Sequence, residues 1–333
     1  MQQKDLLQHV SQFQASIHTN VSNGLNGLLG LEQFIPTLTD DMLKPRKQLP
    51  YNNRDSDHSN SSEKNDNLKS SQPYLSHHLH DTNPEYIIGV PTVFRKTTST
   101  GSEYLLNTLS GLFNNINHKA TKNVLVLVII GETNNTLADQ IFRDLNKKFP
   151  SQISEKRLLV FQPKTEYYPI LVYPTRDQFE DPVDRQQWRT KQNLDYIYMW
   201  LNVLKLQPRY FLQLEDDLQI SDNFYEKMVE KVNDQNTKKS VVWKMLEFNS
   251  MGFIGKLFGY QTLLELTITT ILQFRDKPCD WILDQFLTNK YCSPDMSPVK
   301  CRTQLKNYRQ DENARLETGN ASLRPKSNFE FIL

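Results

Sequence analysis

Histidine stops early in this chain. All seven lie at or before His118 in a sequence of 333 residues, so the second half has no imidazole for a metal, and any cation held there must sit on oxygen. Cysteine is scarce as well: Cys279, Cys292 and Cys301 are the whole supply, too few for a disulfide-dense scaffold or a four-cysteine zinc site. No apolar run reaches about 18 residues, and Met1 is followed by Gln-Gln-Lys-Asp rather than by a basic segment and an apolar stretch. As written, the chain is expected to be neither membrane-spanning nor secreted. Charge of one sign is missing too. With 39 basic against 38 acidic residues the net charge is +1, which leaves no field to hold a nucleic acid or an anionic membrane.

What is present falls into segments. Residues 1–43 open with Leu6, Leu7, Val10, Phe13 and Ile17, then Val21, Leu25, Leu28 and Leu29, a three-and-four spacing that predicts a helical stalk, weakened by glycines at 24, 27 and 30. Residues 44–83 are nearly devoid of aliphatics and rich in Ser, Asn and Asp, the composition of a disordered linker; His77, His78 and His80 fall in it and read as solvated rather than as a site. From residue 84 strands and helices alternate. A short apolar strand over Tyr86–Val93 is expected to be ended by its proline, Pro91, helical periodicity runs from Tyr104 to Asn115, and Val124–Ile130 is continuously apolar, as a parallel strand buried on both faces must be. A helix over Leu137–Phe149, a strand at Arg157–Phe161, a helix over 186–204 and a strand at Arg209–Leu214 follow. This α/β alternation predicts a Rossmann-like sheet flanked by helices over 84–303, with a divergent, irregular tail at 304–333.

The last of these strands runs into Glu215-Asp216-Asp217. In open α/β sheets ligands gather at the carboxyl ends of the strands, and adjacent carboxylates repel one another until a divalent cation neutralises them. A hard, oxygen-ligated metal with a phosphate-bearing substrate suits such a turn. The alternative is a solvated acidic turn leading into a helix from Leu218 to Lys231 with Ser221 as its cap. One helix earlier, Arg189 and Lys191 are placed at a helix N-terminus, where they could meet a diphosphate, with Asn193 or Asp195 reading a sugar or base; a solvated helix face is the alternative. Glu132 follows Gly131 at another strand's end. Asp280 and Asp284 stand four apart, hence on one helical face; a carboxylate beside Trp281 suits a general base, although Asp280 also suits a helix cap. Cys292 and Cys301 flank a proline-bearing polar loop and form either a disulfide or two free thiols, while Cys279 reads as a buried free thiol. Sequons occur at Asn20, Asn60, Asn134 and Asn320, a pattern of low specificity.

Taken together, Gly89-Val90-Pro91-Thr92-Val93, Gly131-Glu132-Thr133, Trp188-Arg189-Thr190-Lys191-Gln192-Asn193-Leu194-Asp195-Tyr196, Leu214-Glu215-Asp216-Asp217, Leu246-Glu247-Phe248, Met251 to Phe258 and Lys277-Pro278-Cys279-Asp280-Trp281 are similar to the N-acetylglucosaminyltransferase IV family. The resemblance runs from about residue 86 to Cys301. It implies a GT-A type glycosyltransferase domain that moves N-acetylglucosamine from UDP-GlcNAc, in β1,4 linkage, to the α1,3-mannose arm of N-glycans. Carried over, Asp217 is the ligand of a divalent metal, Mn²⁺, with Asp216 beside it and Glu215 towards the ribose. Pro91, Thr92, Glu132, Arg189, Lys191, Asn193 and Asp195 then line the nucleotide-sugar pocket, and Asp280, or alternatively Asp284, is the base of an inverting displacement. The resemblance also implies the Golgi lumen, a type II membrane anchor absent from this chain, and, in that oxidising compartment, a Cys292–Cys301 disulfide. Family members continue past the second loop cysteine into a histidine-bearing motif and a lectin-like domain. This chain reads differently from Gln304 to Leu333, so the alternative expectation is a catalytically impaired member that binds or regulates.

Overall fold

The computed structural model describes residues 84–96, 100–116, 123–238, 243–249, 252–309 and 323–325. The stalk expected over 1–43 and the linker expected over 44–83 therefore lie outside the described residues. The elements in chain order are β1 (Tyr86–Thr92), α1 (Glu103–Asn115), β2 (Val124–Ile130), α2 (Asn135–Lys148), α3 (Pro150–Ser154), β3 (Leu158–Phe161), α4 (Val183–Lys205), β4 (Tyr210–Gln213), β5 (Leu218–Ile220), α5 (Phe224–Thr237), β6 (Met245–Glu247), β7 (Lys256–Gly259), α6 (Tyr260–Gln273), α7 (Cys279–Tyr291), α8 (Pro298–Arg309) and β8 (Leu323–Pro325).

Six strands form one sheet in the order β3-β2-β1-β4-β7-β6. The first four are mutually parallel, and β7 and β6 add on antiparallel, making the sheet mixed. β2 shows why it sits inside the sheet, between β3 and β1. All seven of its residues are buried, and the pleat sends Val124, Val126, Val128 and Ile130 into one apolar cluster and Leu125, Leu127 and Ile129 into the other. The first cluster is roofed by α1, α2 and α5 through residues such as Leu109, Ile141 and Met228. The second is roofed by α4, α6 and α7 through Trp200, Leu263 and Leu283. A three-layer α/β/α domain results. No helix among the described residues is long and apolar enough to cross a membrane.

Pro91 does not end β1; it lies inside it, opposite Ile129. β4 accompanies β1 only as far as Gly89, and Leu214 donates to the Gly89 carbonyl at 2.9 Å before turning away. Because residues two apart face the same neighbour, the nitrogen of Pro91 points to the side β4 has already left, and no ladder bond is lost. A second difference follows the acidic triplet. Leu218–Ile220 is a strand, with Leu218 and Ile220 buried and Gln219 exposed, and the Thr108 hydroxyl takes the Leu218 N–H at 2.9 Å. The next helix therefore starts at Phe224 behind Asn223, which adopts a left-handed φ of 58°, a conformation Asn tolerates; Ser221 is not its cap.

The structure pairs Cys292 with Cys301 at a Cα separation of 5.3 Å, tying the end of α7 to α8, and leaves Cys279 as a buried free thiol pushed well up by burial. The boundary expected at 303 falls inside α8, and Leu323–Pro325 pairs antiparallel with β5, so the tail expected to be irregular carries regular structure in these two places. Replacing Cys292 by serine is expected to lower the unfolding free energy by about 2–3 kcal/mol, the scale for a loop of this size. A urea melt of the variant checks this; an unchanged midpoint would show that the cross-link does not hold α8.

Candidate functional site

The parallel strands all point their carboxyl ends to one edge of the sheet, and the sequence-predicted residues gather there. Thr92, with Pro91 just before it, closes β1, Gly131 and Glu132 follow β2, and Leu214-Glu215-Asp216-Asp217 follows β4. Asp216 is the buried member of the triplet. Its Oδ2 accepts from the Thr92 hydroxyl at 2.6 Å, and its Oδ1 is paired with Arg95. Its main-chain carbonyl lies 2.8 Å from the Thr108 hydroxyl of α1. Burial pushes the Asp216 carboxyl up and Asp217 adds to it, while Arg95 and Thr92 pull it down. Glu215 is raised to about 7, first by burial and then by Asp217 and Asp216, with Arg95 and the Phe253 N–H opposing. Asp217 is part-exposed, with Oδ2 3.8 Å from the Arg95 guanidinium.

Arg95 was not among the residues singled out from sequence. Burial alone would lower it, but Asp216, Asp217 and Glu215 more than reverse that, so it stays charged. The guanidinium lies over the Tyr104 ring at 5.6 Å. Its signal in the sequence was modest: a cation three residues beyond the central strand's end, on the edge that carries the acids.

A second group lies behind Gly131. Asp195, buried on α4, accepts from Tyr168 Oη at 2.6 Å and from Lys191 Nζ at 2.8 Å. Lys191 also donates to the Gly131 carbonyl. Burial pushes Asp195 up; Lys191 and Tyr168 pull it back, and Glu132 adds to the rise. Gly131 is required for this approach, because a Cβ there would stand 2.4 Å from Asp195 Oδ2. Lys191 and Asp195 thus brace the turn that presents Glu132, and they do so from the third and fourth turns of α4 rather than from its N-terminus, since the helix begins at Val183.

Arg189 and Asn193 are engaged away from the acidic turn. The Arg189 guanidinium, 3% exposed, is paired with Asp177 and Asp181 of the loop before α4 and lies over Phe179 at 5.7 Å. It is not a free cation at a helix N-terminus. Asp177 and Asp181 carried no periodic signal because they lie in irregular chain. Asn193 Nδ2 donates to the carbonyls of Phe274 at 2.8 Å and Lys277 at 2.7 Å, fastening the segment between α6 and α7 onto α4, while its Oδ1 is buried without a hydrogen-bond partner.

That fastening sets the start of α7. Pro278 occupies the cap position; Asp280 is inside the first turn, its Oδ1 accepting from the Trp281 N–H at 3.0 Å. Trp281 is half-exposed with the edge of Phe179 against it, ring centroids 5.2 Å apart. The Cys279 thiol is raised by burial and then by both Asp280 and Glu215, which puts the first turn of α7 within electrostatic reach of the acidic turn. Asp284 lies one turn further along and is exposed.

Among the described residues no three His, Cys, Asp or Glu side chains converge as a ready-made metal cage. With Asp216 spent on Thr92 and Arg95, Asp217 remains, with Glu215 beside it. One or two carboxylates are what a hard cation takes from protein when phosphate and water complete its shell, so the donor set fits such an ion.

The family model described as the MGAT4 conserved region matches residues 53–314. The chain is 32% identical over 228 residues to alpha-1,3-mannosyl-glycoprotein 4-beta-N-acetylglucosaminyltransferase B of Danio rerio, covering 68% of this chain and 40% of that protein. It is 33% identical over 243 residues to the A enzyme of Rattus norvegicus, covering 73% and 44%. The match thus spans about two-fifths of the length of these relatives. A crystal structure of S. aureus TarS superposes with a TM-score of 0.33 at 11% identity, over 67% of this chain and 42% of that one.

Proposed function

This chain belongs to the family defined by the MGAT4 conserved region, and from that premise we propose that it transfers N-acetylglucosamine from UDP-GlcNAc, in β1,4 linkage, to the α1,3-mannose arm of N-glycans. The observation that carries the reading is the Glu215-Asp216-Asp217 turn at the carboxyl end of β4, part of a chain whose relatives are named for this transfer. In this reading Asp217, with Glu215 beside it, would hold a divalent cation, Mn²⁺, and Glu215 would also face the ribose. Bound there, such a cation supplies charge stabilisation to the departing diphosphate. Glu132, carried on the turn that Lys191 and Asp195 brace, faces the nucleoside.

Transfer with inversion needs one base to take the proton of the attacking hydroxyl as it adds to the anomeric carbon and UDP leaves from the opposite face. Asp280 is assigned that proton. What favours it over Asp284 is its place beside Cys279, whose thiol is under the influence of Glu215 as well. Asn193 is a positioning residue, because it ties Lys277, and with it the start of α7, to the body of the sheet. The Cys292–Cys301 pairing suits an oxidising compartment; with the family it supports a place in the Golgi lumen, on a type II membrane protein.

The test is transfer of radiolabelled N-acetylglucosamine from UDP-GlcNAc to a biantennary acceptor with Mn²⁺, followed by linkage analysis. We expect EDTA-sensitive transfer to the α1,3 arm, and a loss of about 10²–10⁴-fold in kcat for Asp280→Asn, the usual worth of a positioned base. Transfer to another position would overturn the acceptor, and undiminished kcat in Asp280→Asn would overturn the base.

A further inference from the structure

Trp281, in the first turn of α7, keeps 48% of its surface open. Exposure by itself says little, since much of any folded surface is apolar. What supports the ring says more. Phe179 meets the indole at 89°, with ring centroids 5.2 Å apart. Phe179 in turn lies under the Arg189 guanidinium, 5.7 Å from its centroid, and its N–H donates to Asp177 Oδ1 at 2.8 Å. Arg189 is itself pinned by Asp177 and Asp181 at 3% exposure. A buried ion pair thus props an exposed ring through one intervening aromatic. The start of α7 is fixed independently, by Asn193 on the Lys277 carbonyl at 2.7 Å and by Lys277 Nζ on Gln285 Oε1. A right-angled contact covers at most one face of the indole, so the other is open and held in place.

We propose that the open face of Trp281 is the platform on which a hexopyranose ring of the acceptor stacks, next to the base that takes its proton. The inference rests on the proposed transfer and on Asp280 as its base. Asp280 Oδ1 accepts the Trp281 N–H at 3.0 Å, so carboxylate and indole belong to one turn of chain. A pyranose carries its hydroxyls round the rim and C–H bonds on its faces. Those C–H bonds are weakly positive and suit the negative face of an aromatic ring, while the rim hydroxyls stay free for a carboxylate. The surroundings favour a neutral ligand as well, because Asp280 and the exposed Asp284 flank the ring with negative charge that disfavours a phosphate or an anionic membrane. Packed on the indole, the sugar is held by its face and presents its edge, which is the orientation that proton removal from a hydroxyl requires.

The test reads binding rather than turnover, so it stands apart from the transfer reaction. A free biantennary N-glycan is titrated calorimetrically into the full chain with UDP and Mn²⁺ present, and UDP affinity is measured alongside. Trp281→Ala is expected to weaken the glycan by about tenfold or more, the scale for truncating an aromatic anchor, and to leave UDP within about twofold. Trp281→Phe, which keeps a flat ring, should recover most of the lost affinity. Trp281→Leu, which keeps an apolar group against Phe179 but offers no flat face, should not. Unchanged glycan affinity in Trp281→Ala, parallel weakening of UDP, no advantage of phenylalanine over leucine, or no measurable binding of the glycan to wild type overturns the inference. Wild type that binds the glycan through Trp281 yet transfers nothing to it overturns the proposed transfer and leaves the platform standing.

Discussion

Asp217→Ala is expected to abolish the Mn²⁺-dependent part of UDP binding and to lower turnover by about 10²–10³-fold, the cost of removing one group that answers charge developing on a leaving oxygen. The reason lies in how the three acids are divided. Asp216 is buried and already bonded to Thr92 and Arg95. Glu215 is raised to about 7 and so stands partly protonated near neutrality. Asp217 has no such bond to give up and keeps part of its surface open. Calorimetry of UDP with and without Mn²⁺ tests this directly: unchanged metal-dependent affinity in Asp217→Ala would falsify the assignment. Asp216→Asn gives the contrast. It breaks a buried ion pair, so its main effect should be on stability, by about 3–5 kcal/mol, visible in a melt before any assay of binding.

That division of labour was not legible in the sequence, though the triplet itself was. β2 could be read because seven apolar residues in a row fit only a strand covered on both sides, and its alternate side chains do enter the two clusters. The strands and helices around it followed from period and length. The short Leu218–Ile220 strand was not separable from a helix, because three residues carry no period; its pairing with Leu323–Pro325, the Thr108 hydroxyl and the cover of α1 decide it. Arg189 and Asn193 were read as contacts to a diphosphate and to a sugar or base, or else as a solvated helix face. Their partners are Asp177 and Asp181 in a loop and two main-chain carbonyls between α6 and α7, contacts that exist only once the chain has folded. Sequence spacing reports which residues share a face, but not what another segment brings to it.

Arg189→Ala is expected to cost about 3–5 kcal/mol of stability, since it strips a buried cation from two carboxylates. Asp177 and Asp181 are 11% and 18% exposed beside a guanidinium at 3%, so water cannot replace what is lost. Arg185 still reaches Asp181 at 2.9 Å, which favours the lower end of that range. For a domain of this size the melting temperature should fall by roughly 10 °C. The loss must also depend on pH. Burial would raise Asp177, but the N–H groups of Asp181 and Phe179 and the Arg189 guanidinium more than reverse it, and its carboxyl sits below the usual range. A depressed carboxylate contributes stability above its unfolded pKa, near 4, and loses it as pH falls through the folded value. Wild type and Arg189→Ala should therefore differ fully at pH 7 and converge as pH drops below about 4, a trend that thermal melts across that window resolve. An equal gap at both ends would instead assign the loss to packing of the side chain against Phe179. Because Phe179 in turn meets Trp281 beside Asp280, the same substitution should raise the acceptor KM more than that of UDP-GlcNAc: the loop Arg189 holds abuts the start of α7, whereas the acidic turn has its own anchor in Thr92, Thr108 and Arg95.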